Sequence, residues 1–213
     1  MIPAMVVPLL TRPELLNRLI GSIDYPVADL VVIDNGHCVR SLPWSPHVEQ
    51  MHLVTMPSNL GVSGSWNLGV KSLPFVPWWL IVNFDAYFPA GSLERFHVEA
   101  RQDELVLSQA APPWACFALG SSVVETVGLF DERLHPAYFE DNDYERRCTF
   151  HGFAVRQSGI PVGHDNSSTL NAGYQGRNNE TFFSNRQFYD AKVRGADMTP
   201  GWALSRRREL TWD

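Results

Sequence analysis

The chain has 213 residues, 45% of them hydrophobic, and a formal net charge of −6. This hydrophobic content is sufficient for the core of one domain and excludes wholesale disorder. The acidic balance disfavours nucleic acid as the principal ligand, because proteins that bind a phosphate backbone usually carry a basic face.

Three features of the sequence predict a soluble cytoplasmic protein. Cys38, Cys116 and Cys148 lie far apart without CxxC spacing, which indicates free thiols in a reducing compartment instead of a disulfide framework or a zinc site. The N-terminal stretch lacks the basic region of a signal peptide. No stretch reaches the roughly 18 apolar residues that a membrane span requires, so we expect none.

The first half of the chain alternates short apolar runs with helical patterns, which predicts a mostly parallel sheet with crossover helices. Strands are predicted at residues 4–7, 30–33, 52–56 and 78–82, and helices at 14–23 and 63–72. The strand runs are continuous, as expected for strands covered on both faces.

Polar clusters follow all four predicted strands, at residues 8–11, 34–36, 59–64 and 83–85. In open sheets of this type, ligands bind beyond the carboxyl ends of the strands. We therefore expect the four clusters to converge on one functional edge.

In the second half of the chain, strand and helix patterns alternate less regularly. Strands are predicted at 104–108 and 116–119, a turn at 128–133 and a helix at 182–193. Residues 199–213, with three consecutive arginines, are predicted to be a mobile or peripheral tail.

Asn83 and Asp85 end the fourth predicted strand. In a strand, positions i and i+2 share a face, so Asp85 could hold a divalent cation beside Asn83. The alternative is that Asp85 only caps the following turn. A single histidine such as His164 is more often structural than a metal ligand. A metal-binding role for His164 requires that it lie beside Asp85.

Two further segments each allow a structural and a functional interpretation. Glu140, Asp141 and Asp143 suit the first turn of a helix, and Asp143 forms an i,i+4 pair with Arg147, which favours a structural role for Asp143. An acidic run after two aromatic residues also suits a general base. The glycines of NLGVSGSWNLGV (59–70) could expose helix-start amides to phosphate, although loop closure alone explains them.

Together these segments resemble the inverting family 2 glycosyltransferases of the GT-A fold, especially bacterial rhamnosyltransferase-like members. VGLFDERLHPAYFEDNDYERRC (127–148) is similar to the family signature G-x-FDE-x-x-F-x-Y-x-ED-x-D-x-x-x-R, and NLGVSGSWNLGV to N-x-G-x-x-x-x-x-N-x-G. VNFDA (82–86) occupies the position of the family's metal-binding motif, N-P-D or D-x-D. FFSNRQFYDAKVRG (182–195) resembles a segment near the C-terminus of family members. The resemblance runs from residue 4 to about 195.

The resemblance implies a GT-A type fold with a mostly parallel, Rossmann-like sheet flanked by helices in a single compact domain. It assigns residues 1–195 to that domain, with a nucleotide-sugar-binding half (1–110) and an acceptor half (111–195), and leaves 196–213 as a tail. For the nucleotide and its diphosphate it implies Pro8, Thr11, Asp34, Gly61, Asn67 and Asn83. Asp85 and His164 would bind Mn²⁺ or Mg²⁺, and Asp141 would be the catalytic base.

The implied reaction moves a sugar from a nucleoside diphosphate donor, such as a UDP- or dTDP-sugar, to a glycan, lipid-linked or protein acceptor. A sugar hydroxyl is a poor nucleophile, so a carboxylate must take its proton. The leaving diphosphate gains negative charge, which a divalent cation stabilises.

The sequence departs from the family at Asn83, which replaces the first Asp of D-x-D, and at His135 and Pro136, where aromatic residues are common. Two other functions stay open. A sugar-1-phosphate nucleotidyltransferase would need a glycine-rich basic loop after the first strand, and VPLLTRPE has no glycine. A catalytically silent nucleotide-sugar-binding module would have lost Asp85 or Asp141, and both are present.

Overall fold

Four parallel strands form one side of the sheet in the computed structural model, which describes residues 1–165 and 175–199. They are β1 (Ile2–Leu9), β2 (Val27–Asp34), β3 (Val48–Thr55) and β4 (Trp78–Val82). Strands β1, β2 and β4 are largely buried, as their continuous runs predict, while β3 is half exposed because it lies at the edge.

A second group of strands completes the sheet. It consists of β6 (Leu105–Leu107), β7 (Cys116–Gly120) and β8 (Val155–Gln157). The sheet order is β3-β2-β1-β4-β7-β6-β8, with β7 antiparallel to both of its neighbours. A separate two-stranded ladder joins β5 (Ala86–Tyr87) to β9 (Gly163–His164).

Helices cover both faces of the sheet. They are α1 (Pro13–Gly21), α2 (Gly61–Ser72), α3 (Ser92–Glu99), α4 (Ser121–Val127), α5 (Glu140–Phe150) and α6 (Gln175–Arg194). Side chains of β1 alternate, so Met5 belongs to the core with α1 and α3, and Val6 to the core with α2, α4 and α5. Gly69 lets α2 approach β1, since a Cβ there would lie 2.2 Å from Val6. None of these helices, within the described residues, combines the length and hydrophobicity needed to cross a membrane.

These elements confirm the predicted fold class of a mostly parallel sheet between helices. One local prediction is wrong: residues 83–85 form a turn, closed by a hydrogen bond from Ala86 N to Asn83 O, and not the end of a strand. The ladder between β4 and β7 stops where Val82 pairs with Cys116. The predicted tail beyond residue 199 lies outside the described residues, and the division into halves stays a prediction.

A buried ion cluster joins α6 to α5 and to the loop before it. Lys192 Nζ lies 2.7 Å from both Asp131 Oδ2 and Asp143 Oδ1. Arg147 Nε donates to Asp143 Oδ2 at 2.9 Å, and its other nitrogens donate to backbone carbonyls. Burial alone would raise the pKa of Asp131, but hydrogen bonds from Arg133 and Lys192 lower it to about 2. The structural interpretation of Asp143 and its pair with Arg147 is therefore confirmed.

Removing Lys192 should destabilise the fold strongly. Lys192→Met leaves two buried carboxylates without their shared cation, so we expect a loss of about 3–5 kcal/mol in the free energy of unfolding. Arg186→Met on the same helix is the matched control. It removes a surface ion pair at 3.9 Å and should change stability by less than about 1 kcal/mol. Urea unfolding of both variants measures the difference, and equal losses would contradict a stabilising role for the cluster.

Candidate active site

A cavity of about 860 Å³ opens at the carboxyl ends of β1 and β4. Its size lies within the range of small-molecule sites, about 300–1,000 Å³. Six of the predicted site residues line it: Pro8, Gly61, Asn83, Asp85, Asp141 and His164. Segments from all four predicted polar clusters contribute to its wall, so the expected convergence is observed.

Three other predicted residues are not on the cavity wall: Thr11, Asp34 and Asn67. The fully buried Asp34 carboxylate accepts hydrogen bonds from three backbone amides of its own loop, including Gly36 N at 3.1 Å. Asn67 is also fully buried and exchanges hydrogen bonds with the backbone of Phe130. Both side chains hold loops in place.

Asn35 lines the cavity although the sequence analysis did not single it out. Its Oδ1 accepts a hydrogen bond from Leu60 N, and its Nδ2 donates to Ser65 Oγ, both at 2.9 Å. It therefore joins the end of β2 to the start of α2. In the sequence, only its position directly after Asp34 indicates that Asn35 lies near the site.

Gly61 shapes the junction between α2 and the loop at residues 135–136. Its φ is +73°, and a Cβ at this position would lie 2.7 Å from Pro136 O. Val62 N donates to that same carbonyl, while Gly61 N donates to Asn59 Oδ1. These helix-start amides have protein partners, so the idea that they face phosphate is not supported.

Asp85 and His164 form a close pair inside the cavity. His164 Nε2 lies 3.0 Å from Asp85 Oδ1, and both side chains are more than 90% buried. The ladder between β5 and β9 creates this contact by pairing Ala86 with His164. Burial alone would lower the pKa of His164, but the hydrogen bond and charge of Asp85 raise it above its ordinary value.

The Asp85–His164 pair offers a carboxylate oxygen and an imidazole nitrogen, two atom types that bind divalent cations. A cation held by these residues would replace the hydrogen bond between them. His164 Nδ1 lies 3.2 Å from Ala111 O, the type of carbonyl contact that orients metal-bound histidines. Across the described part of the chain, no group of three or more His, Cys, Asp or Glu residues could hold a metal. Substrate oxygens and water would have to complete the coordination.

Arg18 fixes the backbone around this pair. Its guanidinium donates to Asp85 O at 2.9 Å, pairs with Asp165 at 2.8 Å, and lies 4.7 Å from the centre of the Tyr87 ring. It therefore links α1 to both strands of the small ladder. In the sequence Arg18 is an ordinary basic residue near a helix end, which carries no signal of this role.

The loop before α5 is strained. Tyr138 and Phe139 have φ values of 81° and 72°, a region that bulky residues rarely adopt. Asn185 of α6 holds the loop by donating to the carbonyl of residue 137 at 2.8 Å. The Phe139 ring also packs against Phe182 and Tyr189, with centroids 5.1 and 5.5 Å away. Contacts from α6 thus maintain the backbone that presents the acidic run.

The acidic run places two of its three carboxyl groups at the cavity. Glu140 and Asp141 line it, whereas Asp143 is fully buried in the ion cluster. Burial raises the pKa of Asp141, although backbone hydrogen bonds oppose the shift. Burial, followed by the nearby charge of Asp141, raises the pKa of Glu140 to about 8. Within the described part of the chain, Glu140 Oε2 has no hydrogen-bond partner.

The charged side chains on the cavity wall are acidic. Apart from two histidines and Tyr138, the ionisable lining residues in the described part of the chain are Asp85, Glu140, Asp141 and Glu180, with no lysine or arginine. These described side chains offer a diphosphate no positive counter-charge, which a bound cation would supply.

Comparison with known proteins relates the chain to glycosyltransferases. No protein-family model matches it. It is 24% identical over 288 residues to a galactofuranosyl glycosyltransferase from Leishmania donovani, covering 97% of this chain and 66% of the relative. Its fold is similar to that of mannosyltransferase PcManGT from Pyrobaculum calidifontis, solved in complex with GDP-Man and Mn²⁺ (TM-score 0.62, 14% identity, 76% of this chain and 56% of that one).

A second solved structure supports the same fold. It is TarS from S. aureus, with a TM-score of 0.58, 14% identity and coverage of 80% of this chain and 62% of that one. This chain spans about two thirds or less of the length of each of these three proteins. At these identities the solved structures establish a shared fold, and the predicted GT-A-like fold class is thereby confirmed.

Glu140 should make stability depend on pH. Its pKa is about 8 in the folded protein and 4.5 ordinarily, so between these values the folded state retains a proton that the unfolded state has released. Its contribution to stability is complete below about pH 4.5 and is lost as the pH rises through 8, by on the order of 1 kcal/mol per unit. Glu140→Gln should flatten this decline.

Urea unfolding at about pH 5 and about pH 8 measures this effect. Glu145→Gln, on an exposed position of the same helix, is the matched control and should leave the slope unchanged. An identical slope in wild type and Glu140→Gln would show that Glu140 does not retain its proton.

Proposed function

We propose that the protein is an inverting glycosyltransferase, similar to the family 2 enzymes and their rhamnosyltransferase-like members. In this proposal it transfers a sugar from a nucleoside diphosphate donor to an acceptor hydroxyl in one metal-assisted displacement. The observation that carries the proposal is a single cavity bordered by the Asp85–His164 pair and by Asp141. A cation site and a base are the two groups that this reaction requires.

The comparisons support the same conclusion. A relative named as a galactofuranosyl glycosyltransferase aligns with 97% of this chain. A mannosyltransferase of similar fold was solved with GDP-Man and Mn²⁺. A nucleotide-sugar donor and a divalent cation are therefore the ligands that we propose for this cavity.

On the donor side, Asp85 and His164 would hold the cation, and Arg18 would keep their backbone in place. When bound, the cation neutralises the diphosphate and stabilises the charge that develops as it leaves. No described cavity residue is a lysine or arginine that could take over this role. Because one ligand is an imidazole, the site suits Mn²⁺ better than Mg²⁺, which prefers oxygen ligands.

On the acceptor side, Asp141 would take the proton of the attacking hydroxyl. The hydroxyl oxygen bonds to the anomeric carbon, the bond from that carbon to the diphosphate breaks, and its electron pair leaves with the diphosphate. The raised pKa of Asp141 makes it a stronger base than an exposed carboxylate. A single displacement inverts the anomeric carbon and needs no carboxylate nucleophile.

The structure offers less support to the two other functions. In a nucleotidyltransferase, basic residues after β1 would face the nucleotide, but Arg12 pairs with Glu14 at 2.8 Å and is not on the cavity wall. A silent binding module would not need a base at the cavity, yet Asp141 lies there. Release of nucleoside diphosphate that depends on both donor and acceptor would separate the transferase from these alternatives.

The Asp85–His164 pair should account for metal-dependent donor binding. We expect Mn²⁺ together with a nucleoside diphosphate, tested as UDP, dTDP and GDP, to raise the melting temperature, because a ligand that binds only the folded state stabilises it. Asp85→Ala should abolish this increase and His164→Ala should reduce it.

The pair Asp29 and His52 supplies the control. These residues lie 2.8 Å apart but outside the cavity, so Asp29→Ala and His52→Ala should leave the Mn²⁺ effect intact. If His164→Ala behaves like His52→Ala, the histidine is structural and not a ligand.

Asp141 should be essential for turnover but not for donor binding. Asp141→Asn retains size and hydrogen bonding but cannot accept the proton, so the rate should fall by roughly 10²–10⁴-fold. Donor affinity should change little, because the base acts on the acceptor. Glu145→Gln serves as the control on the same helix. Normal turnover in Asp141→Asn together with an inactive Glu140→Gln would place the base one residue earlier.

A further inference from the structure

We propose that the acceptor is an uncharged, hydroxyl-rich sugar that packs against Tyr138, Phe139 and Phe182 and hydrogen-bonds to Glu140. The inference rests on the proposed function, because it assigns this part of the cavity to the acceptor. It goes further by excluding anionic acceptors, such as phosphorylated or uronic sugars.

Charge is the first argument. Asp141 and Glu180 border the part of the cavity formed by α5 and α6, and no lysine or arginine lines the cavity within the described residues. An acceptor phosphate or carboxylate would approach these acids without a partner. The donor diphosphate differs, because a cation at Asp85 and His164 offsets its charge.

Among the described residues, several cations near this wall in sequence already have partners. Lys192 and Arg133 pair with Asp131, and Arg147 pairs with Asp143. Arg186 lies 3.9 Å from Asp190. Arg146 donates to the carbonyl of Asp197. Recruiting one of these side chains to an anionic acceptor would therefore break an existing contact.

Glu140 provides an independent indication of a ligand. The residue lines the cavity and is only 7% exposed, and its Oε2 lacks a hydrogen-bond partner among the residues that the structure describes. Native proteins rarely leave a buried polar atom unpaired, because the atom loses its hydrogen bonds to water without gaining others. Oε2 itself has almost no exposed surface, so a sugar hydroxyl would supply the missing partner once the Glu140 side chain turns toward the cavity. A carboxyl group that retains its proton can both donate to and accept from a hydroxyl, which matches the raised pKa of Glu140.

Aromatic side chains form the apolar part of the same wall. The Phe182 ring lies 5.3 Å from that of Tyr138 and 5.1 Å from that of Phe139, so the three rings support one another. Sugar rings present apolar C–H surfaces between their hydroxyls. An aromatic surface beside a few placed polar groups is therefore suited to an uncharged sugar.

Matched acceptor pairs test the inference. Release of nucleoside diphosphate from UDP-, dTDP- and GDP-sugars with Mn²⁺ is measured with p-nitrophenyl glucoside against glucuronide, and galactoside against galacturonide. The neutral member of each pair should stimulate release more, with kcat/KM higher by roughly tenfold or more. Glu180→Lys should narrow this gap by improving the uronides, and added salt should reverse the improvement.

Variants of Glu140 test the hydrogen bond. Glu140→Leu should raise the acceptor KM by about tenfold through loss of a polar partner, while donor binding in the thermal-shift assay is unchanged. Glu140→Gln should restore the acceptor KM, because an amide can also donate and accept. Equal acceptor KM values for the Leu and Gln variants would overturn the role of Glu140.

The remaining outcomes separate this inference from the proposed function. Failure to bind any donor with Mn²⁺ would overturn both. Intact donor binding with equal or better use of uronides, or with no stimulation by any of the four glycosides, would overturn the neutral-acceptor inference and leave the donor site standing.

Discussion

The site depends on the buried cluster in which Lys192 is shared between Asp131 and Asp143. It connects α6 to both the turn at residue 131 and the first turn of α5, so α6 occupies a fixed position relative to two much earlier segments. With Asp143 engaged there, Glu140 and Asp141 are left at the cavity. Breaking a buried ion pair is strongly unfavourable, so the cluster also helps to maintain the strained backbone at Tyr138 and Phe139.

The two sides of the cavity are built by different means. The proposed donor side depends on a backbone ladder that brings His164 to Asp85, reinforced by Arg18. The proposed acceptor side depends on aromatic packing and on Asn185 holding the loop before α5. Because different contacts hold the Asp85–His164 pair and Asp141 in place, we expect that changes in the aromatic wall leave the pair intact.

The sequence predicts the fold well because its strands are continuous apolar runs, and their spacing indicates crossover helices. It also predicts that Asp85, Asp141 and His164 share one cavity, although the resemblance to a family was needed to select them. It does not predict the turn at residues 83–85, because the ladder to β7 ends the strand. Nor does it predict the roles of Arg18, Asn35 and Lys192, since contacts between distant segments leave no local pattern.

The stereochemistry of the product tests the central claim most directly. Proton NMR of the first-formed glycoside, taken before any anomeric equilibration, reports the configuration at the transferred carbon relative to the donor. A single displacement with Asp141 as base predicts complete inversion. Retention of configuration would require a covalent or otherwise two-step route and would contradict the mechanism proposed for this cavity.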